Sequence, residues 1–266
     1  MDYHIHTRRC GHATGEPAEF LAVARARGLG EIGFAEHIPQ YFLPAARRNP
    51  GLAMAAEELE AYVAEILALS HESREITVRL GIEADYVPGY EEVLAAILGR
   101  YPFDYVLGSI HYLDGWGFDN PAEIGGYAGR DIDLFYRNYC RTLKRMVSTG
   151  LFDVVAHPDL PKKFGYRPRG DIASLYEETV SAIAAAGVAV EVNTAGLRQP
   201  AGEIYPAPIF LELCYRYGVP VTLGSDAHRP EDVGRDFEKA VDLLLRVGYR
   251  EVATFEKRRR MLVGLL

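Results

Sequence analysis

The stretch DYHIHTRRCGHATGEPAEFLAVARARGLG, residues 2–30, contains one complete strand and helix unit. Residues 2–6 form a short β-rich run, and residues 17–28 have the composition of a helix. Pro17 stands at the start of that helix and Gly28 at its end, where these residue types are the usual start and stop signals. Three histidines, His4, His6 and His12, lie within the first part of the unit.

The same alternation of a short strand and a longer helix continues along the chain. Strands are predicted at 2–6, 31–37, 77–84, 105–111, 154–157, 188–193, 219–225 and, less regularly, 251–255. Helices are predicted at 17–28, 53–73, 91–99, 131–150, 171–187, 207–218 and 237–248. Such alternation predicts an α/β fold with parallel strands, closed as a TIM-like barrel. We expect one domain over residues 1–266, with two long loops at 38–52 and 112–130 that are suited to cover a site.

The composition excludes several classes of protein. The chain of 266 residues is 48% hydrophobic and carries a net charge of -8, which is unfavourable for a nucleic-acid-binding surface. It begins without the pattern of a signal peptide, and no apolar run approaches the length of a membrane span. Its three cysteines form no CxxC pair, so neither a disulfide framework nor a thiolate zinc site is expected. We therefore expect a cytoplasmic protein with no nucleic-acid or membrane partner.

The histidines follow the strand pattern closely. Seven of the eight lie at the end of a predicted strand or shortly after it, and carboxylates accompany them at the same places. The carboxyl ends of parallel barrel strands share one face, which is where such enzymes keep their chemistry. His71, in the polar stretch SHESRE, is interpreted as a surface residue. So many polar groups on one rim would be costly to bury unless a metal bound them, and imidazole with carboxylate suits zinc, iron or manganese.

These motifs together resemble a known family. An H-x-H start, a further His after a Cys-Gly step, a lone Glu, two isolated His and a late D-x-H are similar to the polymerase-and-histidinol-phosphatase (PHP) family. The stretches RRCGHATGEP, YPFDYVLGSIHYL, HPDLPKKFG, NTAGLRQPAGEIYP and LGSDAHRPEDVG most resemble its stand-alone histidinol-phosphate phosphatases. The resemblance covers essentially the whole chain. It implies a distorted (β/α)7 barrel, in which our eighth strand would be peripheral.

The resemblance also implies a centre of three divalent transition metal ions, zinc, iron or manganese. The first ion would be held by His4, His6, Glu83 and Asp226. Glu83 would bridge to a second ion, which His111 and His157 complete. The third would be held by His12, His37 and His228. The chain departs from the family at Glu36, where Asp is common before His37; this Glu would either accept a hydrogen bond from a ligand imidazole or point away.

The implied reaction is the hydrolysis of L-histidinol phosphate to L-histidinol and phosphate, a step of histidine biosynthesis. A hydroxide bridging two ions would attack phosphorus, and Glu83, Asp226 and His228 would serve catalysis at the centre. Three divalent ions, less the charges of Glu83, Asp226 and a hydroxide, leave a local positive excess that favours a phosphate dianion. Basic residues near the strand ends would bind that phosphate: Arg198, Lys163 and Lys162.

Other readings stay open at this point. The same fold could act on another small phosphomonoester, such as a nucleotide or sugar phosphate. An amidohydrolase-type metal hydrolase also begins with H-x-H, but the end of strand four lacks the Lys that such enzymes commonly use. A metal-storing or structural module would normally have a closed set of four protein ligands per ion. For the amine and imidazole of the substrate the candidates are Asp85, Asp159, Tyr112 and Trp116, and the sequence does not choose among them or define an oligomeric state.

Overall fold

The computed structural model describes residues 1–265 and confirms the predicted barrel. Its strands are β1 (Asp2–Ile5), β2 (Glu31–Phe34), β3 (Thr77–Asp85), β4 (Tyr105–Ser109), β5 (Tyr112–Leu113), β6 (Trp116–Gly117), β7 (Val154–Val155), β8 (Ala189–Asn193), β9 (Val221–Gly224), β10 (Glu251–Glu256) and β11 (Arg259–Gly264). Seven of them form one parallel sheet in the order β1-β2-β3-β4-β7-β8-β9.

The sheet curls round until its two edges meet. Beyond the ends of β1 and β9, the His6 amide donates to the Ala227 carbonyl at 2.9 Å, and the Ala227 amide donates to the His4 carbonyl at 3.1 Å. These bonds complete a nearly closed barrel, in which the carboxyl ends of all seven strands surround one opening. The residues that follow the strands are therefore brought together, although they are far apart in the sequence.

Seven helices follow the strands. They are α1 (Pro17–Ala26), α2 (Leu59–Glu72), α3 (Glu91–Leu98), α4 (Ile132–Ser148), α5 (Ile172–Ala186), α6 (Pro208–Arg216) and α7 (Phe237–Val247). Side-chain caps define two of the starts, because Asp131 accepts a hydrogen bond from the Leu134 amide at 2.9 Å and Asp171 accepts one from the Ser174 amide at 3.2 Å. The helix predicted from residue 53 begins only at Leu59, since residues 56–58 form a 3-10 turn.

The predicted eighth strand lies outside the barrel sheet. β10 pairs with β11 as an antiparallel hairpin, and its buried face closes the amino end of the barrel. The basic run at 256–260 is exposed and also ties this hairpin to the barrel. Arg258 donates to the Leu151 carbonyl at 2.7 Å, and Arg260 donates to the Gly187 carbonyl at 2.7 Å.

The two long loops lie on the opposite, carboxyl side. The loop at 112–130 contains the small β5–β6 hairpin and a 3-10 segment at Pro121–Tyr127, whereas the loop at 38–52 is mostly irregular. Gln40 of the first loop donates to the Tyr112 hydroxyl of the second at 2.9 Å. A cavity of about 570 Å³ lies between them. No helix among residues 1–265 is both long and apolar enough to cross a bilayer.

Candidate metal centre and phosphate site

The barrel brings the nine predicted metal ligands into one cluster. His4 lies in β1 and Glu83 in β3, and the remaining seven lie in the segments that follow the strands. The nine residues are His4, His6, His12, His37, Glu83, His111, His157, Asp226 and His228. His71, which we interpreted as a surface residue, is exposed in the last turn of α2.

Glu83 lies at the middle of the cluster, and its first carboxylate oxygen faces the β4–β7 side. Oε1 is 2.9 Å from Nε2 of His157 and 3.6 Å from Nε2 of His111. The second nitrogen of His111 is 2.8 Å from Asp85, which orients the ring. Burial would lower the pKa of His111, but the carboxylates of Asp85, Asp119 and Glu83 raise it to about 10. One oxygen of Glu83 thus serves the His111–His157 pair.

The other oxygen of Glu83 faces the β1 side. Oε2 lies 3.3 Å from Nε2 of His4 and 3.5 Å from Nε2 of His6. Oδ1 of Asp226 lies 3.8 Å and 3.4 Å from the same two nitrogens. A tetrahedral ion with donors at 2.0–2.2 Å keeps those donors about 3.3–3.6 Å apart. Three of these four distances fall in that range, and His4, His6 and Asp226 each offer a ligand atom within 4.8 Å of the others.

The buried atoms that lack a hydrogen-bond partner agree with this spacing. Among residues 1–265, the buried atoms without a hydrogen-bond partner include Nε2 of His4, Nε2 of His6 and Oε2 of Glu83. Nδ1 of His4 lies 2.6 Å from Glu191 and donates to it when the ring is neutral, which leaves the lone pair on Nε2. Lone pairs that converge in a buried place repel one another unless a cation joins them. The residues present therefore fit a divalent cation.

A third group of imidazoles lies nearer the solvent. His12, His37 and His228 each offer a nitrogen within 4.8 Å of the others, and Nε2 of His12 is 3.0 Å from Nε2 of His228. Burial and the neighbouring His37 lower the pKa of His12 to about 4, and burial with His6 holds the pKa of His228 well below its usual value. Neutral imidazoles are the form that binds metals.

His37 also approaches the centre of the cluster, because its Nδ1 is 2.8 Å from Oε2 of Glu83, although the two atoms are not aligned for a hydrogen bond. The pKa of Glu83 would be raised by burial, but His37, His4 and His111 hold it well below its usual range. His37 thus stands between the inner and outer groups. The three ligand sets implied by the resemblance are contiguous in space, because Glu83 belongs to the first two and His37 of the third approaches it.

The side chains behind the ligands include one that the sequence reading missed. Glu191 is buried in β8, and its two oxygens contact Nδ1 of His4 at 2.6 Å and the His157 amide at 2.8 Å. A carboxylate between two valines of the buried strand AVEVN was the available signal. Glu36 accepts hydrogen bonds from Thr7, and its other oxygen lies 3.9 Å from Nδ1 of His6. Glu36 therefore faces the ligand ring rather than pointing away.

Backbone strain occurs at two of the ligands. His157 has φ of 27° and Asp226 has φ of 53°, both in the left-handed region that residues other than glycine rarely adopt. β7 and β9 end before these residues, so strand alternation does not align Asp226 with His228, as we expected if the strand continued. Turns of the backbone instead direct both side chains inward. Strain of this kind is concentrated at functional sites.

The predicted phosphate-binding cations occupy different environments. Arg198 donates to the Ser225 carbonyl at 2.6 Å and lines a cavity of about 580 Å³ that the metal cluster also lines. Lys163 lines the same cavity, and its ammonium lies 3.1 Å from Asp119. Arg229 and Arg235, which the sequence reading did not single out, also border it. Four cations thus surround the opening above the cluster.

Lys162 does not fit the substrate-binding role predicted for it. Its side chain is fully buried, and its ammonium contacts Asp159 at 2.7 Å, Glu203 at 2.8 Å and the Ile204 carbonyl at 2.8 Å. An ammonium has three protons, and these contacts use all of them. Lys162 instead joins the loop after β7 to the loop after β8.

The four candidates for the substrate's amine and imidazole also differ in placement. Asp85 is occupied by His111, and Asp159 is buried against Lys162. Trp116 packs against Tyr127 and lies under Arg130 at 4.0 Å, outside the cavities around the cluster. Tyr112 lines a recess of about 140 Å³ that opens beside the cluster. Of the four, only Tyr112 presents its side chain to the site without a charged partner.

Comparison with known proteins agrees with this geometry. The model of the PHP domain matches residues 2–195. The "Probable histidinol-phosphatase" of Deinococcus radiodurans is 42% identical over 259 residues, which are 97% of this chain and 97% of that protein. The "Histidinol-phosphatase" of Bacillus subtilis is 31% identical, over 89% of this chain and 96% of that protein.

Among solved structures, the fold matches a crystal structure from Lactococcus lactis. That protein is described as a histidinol phosphate phosphatase complexed with zinc, L-histidinol and phosphate. The two structures superpose with a TM-score of 0.80 over 98% of each chain, at 23% sequence identity. At this identity the similarity supports the fold.

Proposed function

The chain belongs to the PHP-domain family, and we propose that it hydrolyses L-histidinol phosphate to L-histidinol and phosphate. Two relatives that align over most of the chain carry the name histidinol-phosphatase, at 42% and 31% identity. The observation that carries the proposal is the position of Glu83, whose two oxygens each face a different pair of histidines directly below a ring of cations. Such a site suits the hydrolysis of a phosphate ester, which is helped by bound metal ions and by positive charge around the phosphate.

We assign the ligands of three divalent ions as follows. His4, His6, Glu83 and Asp226 hold the first, Glu83 with His111 and His157 the second, and His12, His37 and His228 the third. Zinc, which is present in the Lactococcus lactis structure, suits these donors, as do iron and manganese. When bound, such ions withdraw charge from the phosphoryl oxygens and make water acidic enough to attack near neutral pH.

The protein's own side chains bind and orient the ester. Arg198 and Lys163 face the cavity above the cluster, where they contact the phosphate oxygens. The carbonyl of Ser225 holds the guanidinium of Arg198 in place at 2.6 Å, so little side-chain freedom is lost when phosphate binds. Glu83 and His228 fix the positions of the ligand groups relative to the ester. The side-chain nitrogen of Asn193 lies 3.5 Å from Oδ2 of Asp226.

Asp226 is the residue that we propose handles the proton. Burial would raise its pKa, but His4, His6 and His228 hold it well below the usual value, so the carboxylate is ionised. An ionised carboxylate accepts a proton from the attacking water more readily than it donates one. The proton received at Asp226 is then available to the leaving alkoxide of L-histidinol.

The proposal is tested by phosphate release from a panel of phosphomonoesters, with the metal content of the same sample measured by elemental analysis. L-Histidinol phosphate should have the highest kcat/KM, and a chelator should abolish turnover until divalent metal is restored. A nucleotide or sugar phosphate with a higher kcat/KM would replace the substrate assignment but keep the reaction class. Full activity in a metal-free sample would contradict the mechanism.

A further inference from the structure

Two recesses share the metal cluster as their floor. The wide cavity of about 580 Å³ contains the cations Arg198 and Arg235, whereas the narrow recess of about 140 Å³ lies between the two long loops and contains Gln40 and Tyr112. On the proposed function, phosphate belongs with the cations. The organic part of the ester is then left with the narrow recess, which opens toward the larger cavity between the loops.

Asp119 stands where the two recesses meet, since it lines both of them. Its side chain is 20% exposed, and Oδ2 lies 3.1 Å from the ammonium of Lys163. Burial would raise the pKa of Asp119, but Lys163 and His111 lower it below the usual value, so the side chain is an anion. Among the hydrogen bonds of residues 1–265, Oδ1 of Asp119 takes part in none. An anion with a free oxygen therefore faces the place where a phosphate dianion binds.

A carboxylate beside the phosphate site repels the phosphate dianion, because both are negative. A nearby cation is therefore needed to offset this repulsion. Lys163 supplies one in the free protein. When a bound phosphate also contacts the ammonium of Lys163, the negative charge of Asp119 needs a second cationic partner. In L-histidinol phosphate the ammonium is on the second carbon from the ester oxygen, so it cannot be far from the phosphate. A side chain that recognises this ammonium must therefore be adjacent to a phosphate-binding residue, as Asp119 is to Lys163.

The other carboxylates near the cluster already have internal partners. Asp85 is 2.8 Å from His111, Asp159 is 2.7 Å from Lys162, and Asp232 is 2.7 Å from Arg235. Glu83 and Asp226 are assigned to the ions. Asp119 is the carboxylate among these that borders both recesses and whose partner, Lys163, is a proposed phosphate ligand.

The backbone around Asp119 is rigidly held, which suits recognition. The Phe118 amide donates to the His111 carbonyl at 3.2 Å, and the Asn120 amide donates to the Gly117 carbonyl at 3.1 Å. Phe118 is fully buried and packs edge to face against Phe135. A charge placed on a fixed segment loses little conformational entropy when its partner arrives.

We infer that Asp119 is the residue that recognises the ammonium group of the substrate, and that it thereby selects esters with a cationic leaving group. This inference rests on the proposed function. Lys163 links the two halves of the substrate, since it contacts the phosphate on one side and Asp119 on the other. Asp119 is a specificity residue in this role, and the bond cleavage itself does not depend on it.

The test uses two alkyl esters that differ only in the amine: L-histidinol phosphate and its des-amino analogue, 3-(imidazol-4-yl)propyl phosphate. Asp119→Asn should lower kcat/KM for the first by about 10- to 100-fold, the value of a hydrogen bond to a charged group. The analogue should change by less than about threefold, because it offers no ammonium to Asp119. Asp242→Asn, at an exposed carboxylate of α7 that borders neither recess, is the control and should alter neither ester.

A binding measurement on the metal-loaded protein gives a second readout. L-Histidinol should bind Asp119→Asn more weakly by the same factor, whereas inorganic phosphate should bind equally well or more tightly, because a like charge is removed. Equal losses on the two esters would show that Asp119 acts on the reaction or on Lys163 in general and would overturn the inference. So would an unchanged kcat/KM for L-histidinol phosphate. A wild-type protein that hydrolyses neither ester would refute the proposed function instead.

Discussion

The two ends of the barrel use polar and aromatic residues in opposite ways. At the amino end Tyr105 stacks on Tyr3 with ring centroids 4.8 Å apart, and its hydroxyl donates to the Tyr3 carbonyl at 2.8 Å. Gly33 and Gly81 make room for this ring, since a Cβ at either position would collide with it. Phe255 of β10 covers the pair, at 6.2 Å from Tyr105.

At the carboxyl end the polar atoms are buried but not satisfied. Nε2 of His6 and Oε2 of Glu83 have no hydrogen-bond partner, and His157 and Asp226 have left-handed backbones. Among residues 1–265, the buried side-chain atoms without a hydrogen-bond partner all lie on the carboxyl side of the barrel. On the proposed function, bound ions satisfy those of the histidine cluster, at a cost in folding free energy that is typical of functional sites. The following predictions test this division between the two ends.

The largest effect should come from the carboxyl end. Asp226→Asn or His157→Ala removes a proposed metal ligand, so phosphate release should fall on the order of 10³-fold or more, because several kcal/mol of transition-state stabilisation are lost. Far-ultraviolet circular dichroism should show a folded chain, and elemental analysis should show less bound metal. The control is Asp242→Asn, an exposed site on α7. Normal turnover in both variants would show that the unsatisfied groups at the carboxyl end do not serve the reaction.

The amino end should respond in stability and not in turnover. Tyr105→Phe keeps the ring but leaves the buried Tyr3 carbonyl without its donor, which should lower the free energy of unfolding by about 1–3 kcal/mol. Urea denaturation measures this change. The kcat/KM per folded molecule should match the wild type within about threefold. A large loss of kcat/KM in the folded variant would show that the two ends are coupled.

The smallest effect is a pH dependence confined to the metal-free protein. Burial would lower the pKa of His6, but Asp226 and Glu36 raise it to about 9, and the pKa of His111 is raised to about 10. Both exceed the usual value, so the ion pairs stabilise the folded state fully below about pH 6.5. That stabilisation is lost as pH rises toward 9 and 10. Bound metal replaces these protons and removes the dependence.

The measurement is Tm against pH from 7 to 9.5, with and without metal. Each 1 kcal/mol lost lowers Tm by about 2–4 °C for a chain of roughly this size. Residues remote from the centre titrate in both samples, so their contributions cancel in the difference between the two curves. Parallel curves would show that the histidines near Glu83 do not carry protons in the metal-free protein.

Much of this arrangement could be predicted from the sequence. The order of strands and helices followed from local composition and from end signals such as Pro17 and Gly28. Asp131 and Asp171, at which two of the predicted helices begin, cap those helices in the structure. The candidate ligands were recognisable because His and Asp or Glu recur where predicted strands end, and the resemblance to the PHP family selected nine of these residues. The predicted positions of the strand ends were less accurate, because the backbone leaves the sheet before His157 and Asp226 and turns their side chains inward.

Two adjacent lysines show what could not be predicted from the sequence. Lys162 and Lys163 are the same residue type in the same motif, yet one is buried against Asp159 and the other faces the cavity. Glu191 lies 187 positions from His4 and still contacts its ring. Asp119 was not among the candidates, because its significance depends on the nearby Lys163.

The sequence by itself determined the fold class and the supply of ligating groups, because periodicity, caps and residue chemistry act over a few neighbouring positions. Only the tertiary structure decided which of these groups lie close together, which carboxylates contact a histidine and which lysine faces the cavity above the cluster. Those outcomes depend on distances of a few ångströms between residues remote in the chain, and closure of the barrel alone sets such distances.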